Sequence, residues 1–167
     1  MTRVVKTSLI LIVAAVGLVV IGRLAMPRLA GSVVGGVVMR DGAQTLADCP
    51  GTPNCRNSMS DDADHAVDAL PGAGTAAASL DALEAVLANE PGAQVVARRG
   101  NYLHATFGSR VMNFTDDVEF LIDSAGERID VRSASRLGKS DLGANGKRIE
   151  RLRDALRARS PASVGTS

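Results

Sequence analysis

The chain has 167 residues, 46% of them apolar, which is room for one domain with a real core and too little for two. Aromatic residues make up only 2% (Tyr102, Phe107, Phe114 and Phe120, with no Trp), so aliphatic side chains must fill the core and stacking platforms for nucleic-acid bases are almost missing. Three of the 19 basic residues (Arg3, Lys6, Arg23) and no acidic one fall within residues 1–25, leaving 16 basic against 18 acidic residues downstream; a domain of that balance lacks the basic surface of a nucleic-acid binder.

Residues 7–22 (TSLILIVAAVGLVVIG) form an uncharged run. With Lys6 and Arg23 snorkelling at its flanks it extends from Val4 to Met26, long enough as a helix to cross a bilayer core of about 30 Å. Residues 1–26 are therefore expected to be a transmembrane anchor. The rival is a cleaved signal peptide, whose best cleavage candidate is Val20-Ile21-Gly22; the later Ala25 and Ala30 each have an arginine at the third position upstream of the cut, Arg23 and Arg28, where a cleavage site needs small residues. Arg3 and Lys6 favour a cytoplasmic amino terminus, which puts the rest of the chain in the periplasm or outside, tied to the inner (cytoplasmic) membrane. Residues 27–47 are rich in Gly and Val without a clear period and read as a tether.

The two cysteines lie in CPGTPNC, Cys49 to Cys55. In an exported chain a disulfide is the expected state. A two-Cys metal site helped by His65 and a redox pair are the alternatives, and five intervening residues suit neither a zinc knuckle nor a CxxC motif.

Residues 66–70 alternate as a short strand, and a helix follows from Leu80 to about Asn89, capped by Ser79 and stopped by Pro91 and Gly92. Residues 94–99 and 102–107 flank Gly100-Asn101, a two-residue hairpin signal. His104 falls on the polar face of that hairpin, where a lone histidine is usually a surface or hydrogen-bonded residue. Residues 118–123 and 128–133 make a second hairpin whose apolar pattern pairs Phe120 with Val131 and Ile122 with Ile129; the same register sets Glu119 opposite Arg132. A helix starting between Asp141 and Asn145 and running to about Arg159 turns Ile149, Leu152 and Leu156 inward, with Lys147, Arg148, Arg151, Arg153, Arg157 and Arg159 largely outward. Residues 160–167 have the composition of a disordered tail. This order of elements predicts an α+β domain over residues 48–159: an antiparallel sheet of about five strands with two helices on one face.

CPGTPNC, the DDVEF of residues 116–120 and RSASRLGKSDLGANGKRIERLR from Arg132 to Arg153 together resemble domain-of-unknown-function family 1499, over about Asp48 to Leu156. The resemblance implies an exported or membrane-anchored α+β domain with no assigned activity; from the residues themselves no metal or cofactor is expected.

Candidate ligand or interaction residues are Asp116, Asp117, Glu119, Arg132, Ser133, Ser135, Arg136, Ser140, Asp141, Asn145 and Arg148. The three acids could serve a hard cation, but Glu119 already has a cross-strand arginine, and adjacent Asp116 and Asp117 point to opposite faces of a strand. The serines have no base near them in sequence, and His65 and His104 sit in no triad context, so no enzyme motif is complete. Gly138 and Gly143 bracket a loop whose amides, with Arg136, could bind an anion; the competing reading has Ser140 or Asp141 capping the helix. The expectation is a non-catalytic interaction or assembly domain serving another envelope or membrane protein. The alternative is a small-ligand (anion) binding domain or enzyme using residues 132–145.

Overall fold

A computed structural model describes residues 2–29, 31–108 and 114–159, with the side chains of the first helix described from Lys6 to Ile21. The expected tail at 160–167 lies outside the described residues, as do the side chains of Val4 and Met26. The first helix, α1, runs Thr2–Leu29. Its apolar side chains, Leu9 to Val13 among them, are exposed. Among the described residues no helix is long and apolar enough to cross a membrane.

The expected tether is partly ordered: β1 (Val37–Arg40) and β2 (Ala43–Leu46) form an antiparallel hairpin. Their turn contains Asp41 at φ 51° and Gly42 at φ 81°, left-handed backbone that glycine adopts without strain. Alternation over two four-residue strands is too brief to stand out among valines and glycines.

The main sheet comprises β3 (Cys55–Asn57), β4 (Leu70–Pro71), β5 (Ala93–Arg99), β6 (Tyr102–Gly108), β7 (Thr115–Ile122) and β8 (Arg128–Ser135). It is antiparallel with order β3-β8-β7-β6-β5, and β4 also pairs with β8. About five strands were expected; β3 was missed because it lies in the cysteine segment. The strand expected at 66–70 shrinks to β4, with Ala66 forming an isolated bridge to Asn57.

The second hairpin has the expected register. Phe120 pairs with Val131, Ile122 with Ile129 and Glu119 with Arg132. It is longer than expected at the open end, where Asp116 faces Ser135, so Ser135 joins Ser133 in the strand rather than lying in the loop. In the first hairpin the register shifts between Val95 and Ala97, an irregularity on the edge strand that discourages pairing with another chain.

Helices α2 (Ala76–Leu87) and α3 (Ala144–Arg159) pack against each other and the sheet. Leu80, Leu83, Val86, Leu87, Ile149, Leu152 and Leu156 meet Leu103, Phe107, Phe120, Ile122, Ile129 and Val131. Burying each such side chain contributes about 1.5–3 kcal/mol, and this is the core. The cap of α2 is Thr75, whose hydroxyl accepts from the Ala78 amide. Ser79, the expected cap, is instead fully buried, donating to Gly126 O at 2.7 Å and accepting from the Ala73 amide at 2.7 Å. Helix α3 starts where expected, but Arg148 and Arg153 are buried rather than outward. Arg153 Nη2 donates to Asp68 O at 2.6 Å.

Candidate functional site

Strand alternation distributes the polar residues over both faces of β7 and β8. Asp116, Ser133 and Ser135 point to the helix side, at the end of the apolar core. Arg148, one helical turn beyond Asn145, reaches Asp116 and donates to Ser133 Oγ at 2.9 Å. Ser133 in turn donates to Asn145 Oδ1 at 2.6 Å, and Asn145 Nδ2 donates to Ser135 Oγ at 3.0 Å and Asn54 O at 2.9 Å. The Arg148 guanidinium also lies 4.7 Å from the Phe107 ring centroid, a cation–π contact.

Asn54 belongs to the cysteine loop. Cys49 and Cys55 are disulfide-bonded with Cα atoms 5.8 Å apart, and Cys55 is fully buried in β3 opposite Ala134. The bond closes a loop in which Asn54 Nδ2 donates to Gly138 O at 2.7 Å. All three motifs named above thus meet in one buried network.

The loop before α3 is capped from within. Asp141 Oδ1 accepts from the Gly143 amide at 3.0 Å and Oδ2 from the Asn145 amide at 2.8 Å. Burial works to raise the Asp141 carboxyl, but these bonds outweigh it and hold it below the usual range. Ser140 Oγ accepts from the Leu142 amide at 3.3 Å. The amides proposed for an anion are therefore engaged by the chain's own side chains. A cleft of about 350 Å³ opens beside the loop, lined by Phe107, Asp116, Ser140, Asp141, Arg148 and Arg151 among others.

On the opposite face lie Tyr102, His104, Asp117, Glu119, Arg132 and Arg136. Glu119 is fully buried and accepts from Arg132 Nη1 at 2.7 Å, Tyr102 Oη at 2.9 Å, and the amides of Gly35 at 3.1 Å and Gly36 at 2.6 Å. Asp117, also fully buried, accepts two bonds from Arg136, at 2.9 and 2.8 Å, one from His104 Nε2 at 2.9 Å and one from the Val33 amide at 2.9 Å. Arg132 Nη1 closes the circuit by donating to Val33 O at 3.0 Å. Residues 32–36 thus form a strap seated on the two carboxylates, only a few residues beyond the end of α1.

The strap requires its glycines. A Cβ on Gly35 would sit 2.3 Å from Ala47 Cβ, and Gly36 has φ 71°. Electrostatics follow the bonding. Burial acts to raise the Asp117 carboxyl, yet the bonds from His104, Arg136 and Val33 hold it well below the usual carboxylate range. Burial first, then the adjacent Glu119 carboxylate, push the Tyr102 phenol up.

The candidate residues therefore form two clusters, one on each side of the sheet, and every one has an internal partner. The three acids are divided between three arginines, and no group of three metal-ligating side chains occurs among the described residues. Sequence reasoning missed the strap, because backbone amides carry no sequence signal, and placed Tyr102 outside the site. It also missed Asn54, whereas Asn145 and Arg148, both expected, sit on one helical stripe with Ile149, Leu152 and Leu156.

The chain matches no curated protein and no solved structure. The model of the family described as "Protein of unknown function (DUF1499)" matches residues 45–156, a span holding all three motifs and both polar clusters except the strap, and the chain belongs to the DUF1499 family.

Proposed function

We propose that this protein is a non-catalytic, membrane-tethered interaction domain that assists the assembly or stability of another envelope or membrane protein. The observation that carries this reading is saturation: Asp117 and Glu119, the groups most able to do acid–base or metal chemistry, are occupied by arginines and by the chain's own backbone amides. A site ready for substrate leaves such groups facing a cavity. Under this reading the span between Val4 and Met26 is retained in the inner membrane, the amino terminus is cytoplasmic and the domain lies outside. The exposed apolar side chains of α1 then contact lipid, and the strap holds the sheet close to the helix end in place of a long flexible tether.

The test is purification of the tagged full-length protein from native membranes in mild detergent, with intact-mass measurement and identification of co-purifying proteins. The reading predicts an uncleaved chain carrying a stoichiometric membrane or envelope protein. A mature amino terminus at Arg23 or later, or a chain that purifies alone and turns over a substrate, contradicts it.

A second reading has one observation in its favour, the cleft beside residues 132–145. A small ligand or substrate bound there would meet Ser140 and Arg151, the latter half-exposed and only 3.6 Å from Glu90. Loss of complementation by Arg151→Ala at unchanged melting temperature would favour it.

A further inference from the structure

A cavity of about 560 Å³ separates the strap from the β5–β6 hairpin, with Val34 and Val37 on one wall, Ala97 and Arg99 on the other, and Tyr102 and His104 also lining it. Small-molecule sites fall in this size range.

Two of its polar groups are uncommitted. His104 donates through Nε2 to Asp117, because an ionised carboxylate can only accept. The other ring nitrogen, Nδ1, has no hydrogen-bond partner among the described residues, although the side chain is 9% exposed. Nor is it sealed in: the buried polar side-chain atoms without partners among the described residues are Thr45 Oγ1, Glu90 Oε2 and Arg148 Nε. In the neutral ring Nδ1 is therefore an acceptor open to the cavity. The second group is Arg99, which is exposed and has no ion-pair partner among the described residues. Its neighbour Arg98 pairs with Glu84 on the helix side.

The local charge decides which ligand fits. Glu119 and Asp117 are neutralised by Arg132 and Arg136, so Arg99 supplies one net positive charge to a cavity whose polar neighbours are otherwise neutral. An arginine fork selects a phosphate or carboxylate, and the Nδ1 lone pair selects a hydroxyl or amine hydrogen. The strap wall begins just beyond the end of α1, where lipid headgroups lie if α1 spans the bilayer.

We infer that this cavity binds a hydroxylated phosphate, with the anion on Arg99 and a hydroxyl donating to His104 Nδ1. Glycerol phosphate chemistry has two sources, the headgroup of an anionic glycerolipid and a soluble glycerol phosphate. The lipid source rests on the membrane reading above; the soluble one does not.

The chain has two histidines, which makes the test direct. His65 Nδ1 donates to Cys55 O at 3.1 Å, so the two rings carry their bonded protons on different nitrogens and give separate nitrogen signals in a ¹⁵N-histidine spectrum. The full-length protein, in phosphatidylcholine nanodiscs, is titrated with glycerol 3-phosphate; in parallel it is placed in nanodiscs containing phosphatidylglycerol. The expected result is movement of the His104 Nδ1 signal, with His65 still, and weakening of binding about tenfold or more in Arg99→Ala but not in Arg98→Ala. Movement with glycerol phosphate alone assigns a soluble ligand, and movement with phosphatidylglycerol assigns the lipid. If the protein fails to enter nanodiscs the membrane reading falls, and the glycerol phosphate titration in buffer still decides the site. A still His104 signal in both arms, an equal response to phosphatidylcholine alone, or unchanged binding in Arg99→Ala overturns the inference.

Discussion

Glu119 and Arg132 face each other across the central hairpin, 2.7 Å apart and almost completely buried, and the same carboxylate grips the backbone of Gly35 and Gly36. Burying this charge pair is tolerable because the carboxylate also accepts from Tyr102 Oη and the two glycine amides, and the guanidinium also donates to Asp48 O and Val33 O. The pair is thus a joint between the sheet and the segment that follows α1.

Removing one partner should therefore be costly. Arg132→Ala leaves a buried uncompensated carboxylate and is expected to destabilise by about 3–5 kcal/mol in urea denaturation. Arg136→Ala is expected to cost less, about 1–3 kcal/mol, because its guanidinium is 20% exposed and Asp117 keeps its bonds from His104 and Val33. Complementation of a deletion strain should follow stability in both variants. Full stability of Arg136→Ala together with lost function would show that Arg136 acts on a ligand.

That hairpin is also the part most legible in the sequence. Its apolar residues and its one cross-strand charge pair demand a single register, and a slip by one residue would turn all of them over. The start of α3 was legible for a similar reason, as Asp141 precedes a periodic run. The strap was not, since its contribution is made by amides that every residue except proline owns. Arg148 was half legible: its charge argued for solvent, and the position on the stripe shared with Ile149 and Leu152 argued for the interior. The interior prevails because Asp116, Ser133 and Asn145 are there to receive it.

Stability should depend on pH at both ends. The Asp117 carboxyl is depressed in the folded state, so its contribution is complete above the ordinary carboxylate value of about 4 and is lost as pH falls below it toward the depressed folded value. Asp141 acts in the same direction. The Tyr102 phenol is raised, so its contribution is complete below about 10 and is lost as pH rises through the folded value. Urea denaturation across pH should give a plateau between these limits. Tyr102→Phe should flatten the alkaline side and leave the acid side intact, and an unchanged alkaline slope in that variant would refute the assignment.

The disulfide should matter locally. Closing so short a loop contributes about 2–3 kcal/mol at most by chain entropy, whereas the core of α2, α3 and the sheet is independent of it. A Cys49→Ala, Cys55→Ala double variant is expected to fold with a lowered melting temperature. Its Asn145 side-chain amide signals should shift, because Asn54 O, one of their acceptors, lies in the loop. Global unfolding on reduction would contradict this.

Amide hydrogen exchange in the full-length protein tests the joint most directly, read at Val33, Gly35 and Gly36. If buried carboxylates hold the strap, these three amides exchange on the timescale of the β7–β8 core, and Gly35→Ala, which drives a Cβ into Ala47, releases all three while the β7–β8 amides stay protected. Exchange in the wild-type protein as fast as in an exposed loop would contradict the account.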